Sequence, residues 1–466
     1  MIVIHVLTLA QELGVHRNTI RNWVKTGRIS AKPGPGKGLQ FTRDDFARLC
    51  REFHLAPELL KPMARNREEV DIPALATPAA SLSSGPGQRR LKEGAMKTFF
   101  NLIQEVQNPG LCHHCGGCVT FCTAINYGAL ETGEDGKPRY KDIEKCIECG
   151  LCYSICPEIS ELDEETKRQV AWSAPMGRIL GTTVSRAMDP EVRLRATDGG
   201  VVTGLLLHLF DLGRIDGAVV TRQVGPFQRQ PWLATKREEI LEAAGFHFDT
   251  SHGPSLFSEA YSTFSPSIVE LEDVARQRLN RVAFVGTPCQ INSLRRMEAL
   301  GIVPSGTIKF HLGLFCTGNF HFGPEQRLKL EQIGSFQWDQ VRKVNVKEDL
   351  LIHLNDGQVR HIPLDRLNFM KRYACHYCDD YAAEFADLSF GGIGAPEGWT
   401  MVIMRSPLGR AIMADANGVD LEAFNYRDNP RLAAQALEKV LEWSNKKKHR
   451  AREKHRELEI SVQVKG

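Results

Sequence analysis

The sequence predicts a multidomain α/β protein, from three observations. Residues 1–54 read as short helices broken by a glycine-rich hairpin, and residues 96–165 hold eight of the thirteen cysteines in two runs of identical spacing. From Trp172 to roughly Trp443, strand-like apolar runs such as DGAVVT (216–221) and RVAFVGT (281–287) alternate with helical patterns, the signature of an α/β domain. The expected divisions are 1–54, a linker over 55–95, the cysteine-rich module over 96–165, the α/β domain over 166–445 and a charged tail over 446–466.

Composition bounds the class. At 466 residues with 42% hydrophobic and 25% charged residues, the chain has the make-up of a soluble globular protein. Its opening MIVIHVLTLA lacks a basic lead-in and a cleavage site, and no apolar run approaches the ~20 residues a membrane helix needs. A cytoplasmic protein without a membrane segment is expected. Thirteen cysteines in such a chain point to metal or cluster ligands rather than disulfides.

In the first segment, Thr8 and Gln11 form a capping box for a short helix ended by Gly14, and a second helix runs from about His16 to Gly27. Ile20, Trp23 and Val24 keep core-facing spacing on it, which leaves Arg17, Asn18, Arg21, Asn22 and Lys25 outward. KPGPGKGLQF supplies a hairpin, and Thr42 to Asp45 caps a third helix. This helix-turn-helix with a wing resembles the MerR or excisionase type. Nine basic against four acidic residues give the segment +5, more than the whole chain's net +3, so Arg17, Asn18, Arg21, Asn22 and Lys25 are candidate DNA contacts. Docking of a protein is the alternative use of such a fold. The Pro, Ala, Ser and Gly of PALATPAASLSSGPGQRR read as a flexible linker, and NKKKHRAREKHRE at the other end as a solvated, charged helix or frayed tail.

The cysteine-rich module repeats C-x2-C-x2-C-x3-C: Cys112, Cys115, Cys118 and Cys122, then Cys146, Cys149, Cys152 and Cys156. Such a duplication is the sequence form of a bacterial two-cluster ferredoxin, in which each fourth cysteine ligates the other cluster. Cys156 is therefore expected to complete the set of Cys112, Cys115 and Cys118, and Cys122 that of Cys146, Cys149 and Cys152. Zinc ribbons need two CxxC knuckles rather than two four-cysteine runs. Thr123 stands where proline usually follows the fourth cysteine, and Gly116, Gly117 and Gly150 permit the tight loops.

Four downstream stretches remain: ATDGGVVTGLLLHLFDLGRIDGAVV (196–220), VAFVGTPCQINSLRRM (282–297), FHLGLFCTGNF (310–320) and CHYCDDYAAEFADLSFGGIGAPEGWTMVIMRS (375–406). In this order they resemble the beta subunit family of coenzyme F420 hydrogenases and dehydrogenases over roughly residues 105–410. The resemblance implies an α/β FAD-binding catalytic domain beside [4Fe-4S] clusters. It assigns Cys289, Cys316, Cys375 and Cys378 to a third cluster; zinc suits the same four thiolates, and their redox company favours iron. Asp198, Gly199, Gly200, Val201 and Thr203 open a helix whose N-terminus suits a pyrophosphate or flavin edge, although an ordinary helix cap has the same appearance. Gly286 and Thr287 end a strand where α/β sheets bind ligands. Arg222, Lys309, His311 and Arg405 are candidates for anionic groups, or plain surface charges. The flavin carries the hydride chemistry, so no catalytic acid or base is assigned.

The implied activity is an oxidoreductase passing electrons between a hydride carrier, coenzyme F420 or similar, and a partner of the hydrogenase, formate dehydrogenase or heterodisulfide reductase type, through FAD and three [4Fe-4S] clusters. The alternative is a redox-responsive DNA-binding regulator.

Overall fold

The computed structural model describes residues 2–5, 20, 23–25, 29–33, 38–42, 45, 48–49, 97–125, 127–133, 136–225, 228–245, 267–302, 305–425, 427 and 429–465. They fall into two compact units, Met1–Met96 with Ile147–Cys149, and Lys97–Cys146 with Gly150–Gly466. The expected linker over 55–95 lies outside the described residues.

In the first unit, β1 (Ile2–His5) and β2 (Lys32–Pro33) flank β3 (Gly38–Phe41) in a three-stranded antiparallel sheet. The hairpin is that of the KPGPGKGLQF stretch. Ile20 and Trp23 are helical and buried, as their spacing predicts. Thr42 Oγ1 accepts from the Asp45 amide at 3.1 Å, the expected cap.

The second unit opens with the cysteine-rich module. There α1 (Gly117–Ile125) precedes a two-stranded ribbon, β4 (Leu130–Thr132) with β5 (Pro138–Tyr140), and α2 (Leu151–Ser154) leads towards α3 (Asp163–Gln169). The expected division at 165/166 falls inside α3, and the module, apart from Ile147–Cys149, belongs to one compact unit with the α/β domain.

The α/β part is built on β6 (Gly181–Ala187), α4 (Val201–Asp211), β7 (Gly217–Gly225), β8 (Gln228–Ala234), β9 (Val282–Gly286), α5 (Pro288–Ala299) and β10 (Ile308–Leu314). After α6 (Pro324–Gly334) a separate antiparallel sheet inserts, β11 (Val341–Val346), β12 (Asp349–Leu354) and β13 (Val359–Pro363), with its own core around Phe322, Trp338 and Ile352. The chain returns through β14 (Leu388–Gly391), β15 (Thr400–Met404), α7 (Pro407–Ala416) and β16 (Leu421–Ala423), and ends in α8 (Leu432–Lys465). The eight-stranded sheet runs β16-β6-β15-β14-β10-β9-β7-β8. Its centre, β14-β10-β9-β7, is parallel, and antiparallel strands close both sides.

Strand alternation decides what covers each face. Val402 points to the layer of α4 and α7, where Leu205, Leu209 and Ile412 are buried, while its neighbours Met401 and Ile403 point to α8, against Ala436 and Val440. Helix α8 runs unbroken through the expected boundary at 445/446. It also corrects the reading of the tail as solvated: Lys447 and Ala451 are buried. Apolar residues upstream of Asn445 dock the helix, and the charged stretch is carried inward with it.

Candidate redox site

Two loops repeat one backbone conformation. His114 and Glu148, each preceding the second cysteine of its run, have φ of 53°, and Gly116 and Gly150, each following that cysteine, have φ of 85° and 72°. The left-handed conformation is nearly free only for glycine, which explains the residue type at 116 and 150. The turn aims amides inward, so that Cys112, Cys115 and Cys156 receive hydrogen bonds from the backbone at His114, Gly117 and Glu158.

Cys112, Cys115, Cys118 and Cys156 line one small cavity, of about 20 Å³, closed by Leu102, Val106, Ile155 and Pro157. Cys156, from the second run, shares this cavity with the three cysteines of the first. Burial raises all four thiols, Cys112 to about 11 and Cys118 and Cys156 well above the ordinary thiol value. Thiols buried in this way ionise when a bound metal or cluster supplies the compensating charge. In the second set, burial also raises Cys122, with Cys146 close enough to add to the effect, and Cys152 acts in the same way on Cys118. Cys149 belongs to the other compact unit.

Cys289, Cys316, Cys375 and Cys378 come from three distant segments. Burial, reinforced by the charges of nearby Cys115, Cys378 and Cys316, pushes the Cys289 thiol well up. Burial raises Cys316 too, opposed by Lys447 and reinforced by Cys375, and lifts Cys378 to about 12. The Asn319 amide donates to Cys375 Sγ at 3.3 Å, and the Cys316 amide to the Tyr381 carbonyl at 2.8 Å, which ties the two cysteine loops together.

Helix α5 connects this set to the first. Cys289 sits in its first turn, behind Thr287 and Pro288, which open the helix after β9. One turn on, Ser293 stands beside Cys115 and packs so tightly on Gly117 that a Cβ there would lie 2.2 Å from its hydroxyl. Arg296, 1% exposed, donates to the carbonyl of Cys156 at 3.0 Å and of Ile159, and pairs with Asp163. A single helix therefore touches both thiol sets.

A cleft of about 370 Å³ adjoins the third set, since Cys316 lines it. Asp198, Gly200, Val201, Thr203, Gly286 and Thr287 line it as well. Gly199 does not; it packs beneath, where its amide donates to Thr400 Oγ1 at 3.0 Å. Asp198 accepts from Asn345 Nδ2 at 3.0 Å, and Lys347 Nζ stands 3.7 Å away. A Cβ on Gly392 would lie 2.5 Å from the Asp198 carboxylate, so the glycine leaves the acid its place.

Sequence reading missed Asn345 on β11 and Lys347 just beyond it, since that strand carries no motif and reaches the cleft only because the small sheet inserts there. None of the four singled-out basic residues lines the cleft. Arg222 lies over the Trp232 ring, Lys309 bonds the Gly306 carbonyl, and Arg405 holds buried carbonyls of Met176 and Ala382. His311 stands between Glu298 at 3.1 Å and Asp387 at 3.4 Å. Of the candidate DNA contacts, Lys25 is exposed, and Arg17, Asn18, Arg21 and Asn22 lie outside the described residues.

A doubled cysteine loop and a further thiol set beside a ligand-sized cleft define an iron-sulfur oxidoreductase. The chain belongs to the coenzyme F420 hydrogenase/dehydrogenase beta subunit family. The two family models for that beta subunit, one for its N-terminal and one for its C-terminal part, match residues 182–258 and 279–425. A 4Fe-4S dicluster domain matches 104–157, and a helix-turn-helix domain 8–52. The chain is 30% identical over 247 residues to the coenzyme F420 hydrogenase subunit beta of Methanosarcina barkeri, covering 52% of this chain and 80% of that protein. With the coenzyme F420-dependent sulfite reductase of Methanocaldococcus jannaschii it shares 28% over 356 residues, 72% of this chain and 50% of the relative. A chain of the F420-reducing [NiFe] hydrogenase complex from Methanosarcina barkeri is similar in structure, with a TM-score of 0.52 and 25% identity, over 61% of this chain and 94% of that one. Among the described residues no helix is long and apolar enough to cross a membrane.

Proposed function

We propose that the protein passes electrons between a hydride carrier, coenzyme F420 or a similar deazaflavin, and a partner redox protein, with FAD in the cleft and three [4Fe-4S] clusters on the three thiol sets. The observation that carries this reading is continuity. Cys316 belongs to the cleft and the third set, Cys289 of that set adjoins Cys115 of the first, and Cys118 of the first adjoins Cys152 of the second. Bound FAD supplies exchange between hydride transfer and single electrons.

The chain's own residues support this use. Gly200, Val201 and Thr203, at the opening of α4, line the cleft beside Asp198, and helix N-termini are where phosphate groups bind. Asn345 and Lys347 fix the Asp198 carboxylate at the rim.

Oxygen-free purification followed by iron, sulfide and flavin analysis tests the reading, with about twelve irons and one FAD per chain expected for three cubanes. A donor screen then has reduced F420 bleach the flavin faster than NADH or NADPH. Protein with zinc in place of iron and no flavin overturns the proposal. The helix-turn-helix match over residues 8–52 favours a second reading, a DNA-binding regulator with the redox core as sensor. Duplex binding that weakens steeply with salt supports it, and no binding at low salt removes it.

A further inference from the structure

The family models end at residue 425, and α8 begins at Leu432, beyond their match. Yet α8 delivers a cation into the third thiol set. Lys447 is 3% exposed, and its ammonium donates to the carbonyls of Cys316 at 2.8 Å and of Asp380 at 2.7 Å. One carbonyl belongs to a ligand cysteine, and the other lies two residues beyond Cys378.

Other charges face the same place. Lys371, also buried, donates to the Thr317 carbonyl at 2.8 Å, and Arg450, one turn along α8, acts on Cys378 and Cys375. Against them stand Asp379 and Asp380 next to Cys378, while Glu384 is taken up by Lys448 and the Trp172 indole. Lys447 is thus the cation that touches the backbone of both ligand loops.

We propose that Lys447 is a positioning residue of the third thiol set, clamping the Cys316 and Cys378 loops and favouring the reduced state of the cluster they hold. This rests on the reading of Cys289, Cys316, Cys375 and Cys378 as cluster ligands. Reduction adds one electron, from a low-potential flavin or dye donor, to a group already negative through its four thiolates. The step moves one electron and no proton, and the Lys447 ammonium keeps its bonds to the two carbonyls. A fixed positive charge at this range, in an interior less polarisable than water, lowers the energy of the more negative state. Net charge and hydrogen bonding are what set the potentials of such clusters.

The test is a dye-mediated potentiometric titration of the full-length, anaerobically purified protein, followed by electron paramagnetic resonance, with iron counted in each sample. Lys447→Met removes charge and donors, Lys447→Gln keeps an amide donor without charge, and Lys447→Arg keeps the charge. The expected result is one cluster at least tenfold harder to reduce in Lys447→Met and Lys447→Gln, about 59 mV for one electron, with the arginine variant near wild type. Should the neutral variants instead lose about four irons while Lys447→Arg retains them, the clamp is supported by assembly. An unmoved potential in neutral variants with full iron, or iron loss in all three alike, overturns the inference alone. Wild-type protein with about eight irons overturns the third-cluster reading and this inference with it.

Discussion

The first and third thiol sets show two ways of building the same kind of pocket. Cys112, Cys115 and Cys118 come from one tight loop, and only Cys156 must be brought to them. The third set draws Cys289, Cys316 and the Cys375–Cys378 pair from segments separated by strands and an inserted sheet. Both nevertheless place a buried cation from another helix on the carbonyl of a cysteine of the set, Arg296 on Cys156 and Lys447 on Cys316. Local spacing can shape a loop, but it leaves backbone carbonyls and negative charge to be compensated from outside. That compensation comes from whichever helix the fold packs there.

The largest expected effect separates the sets as independent ligand groups. Cys156→Ala and Cys375→Ala should each remove about four irons of twelve per chain by colorimetric analysis, and Cys375→Ala should leave the ferredoxin-type pair intact. Loss of most of the iron from Cys375→Ala would mean that the sets are not separable.

Next comes the packing of α5 on the first loop. A Cβ at 117 meets the Ser293 hydroxyl at 2.2 Å, so Gly117→Ala should destabilise by about 1–3 kcal/mol in anaerobic denaturant titrations. Adding Ser293→Ala should recover most of that, because Ser293 Cβ lies 3.5 Å from the added methyl. No recovery would detach Ser293 from the contact that joins the sets.

The smallest effect concerns the anchor of α5 to β10. Arg295 and Glu298 of α5 meet His311 and Asp387 in a buried network. Burial and Arg295 oppose a charged His311, but Glu298 and Asp387 prevail and raise its pKa. A raised folded value contributes stability that is complete below the unfolded value near 6.5 and lost as pH climbs through the folded one. His311→Asn should therefore flatten the stability curve on the alkaline side of about pH 6.5, read from denaturant midpoints. An unchanged slope would show that His311 stays neutral. Asp387 behaves oppositely: burial raises it, but His311 and Arg295 hold it well below the usual carboxylate range, so its contribution fades only in strong acid.

Legibility followed distance along the chain. The paired loops were readable because three cysteines and a glycine within seven residues constrain one turn, and the structure repeats its dihedrals 34 residues later. The cleft residues Asp198, Gly200, Gly286 and Thr287 were readable as ends of strands and starts of helices. Asn345 and Lys347 were not, since nothing in KVNVK announces that an inserted sheet lays β11 along the cleft. Nor was the tail legible, because a run of lysines and arginines reads as solvated whatever later buries one of them.

The sequence by itself determined the thiol spacing, the alternation of strands and helices and the family, because these depend on neighbours a few residues apart. Only the tertiary structure decided that Cys289 adjoins Cys115, that Cys316 opens onto the cleft, and that Lys447 lies among thiols. Those contacts join segments tens to hundreds of residues apart, and burying the apolar faces of α5 and α8 against the sheet is what drives them together.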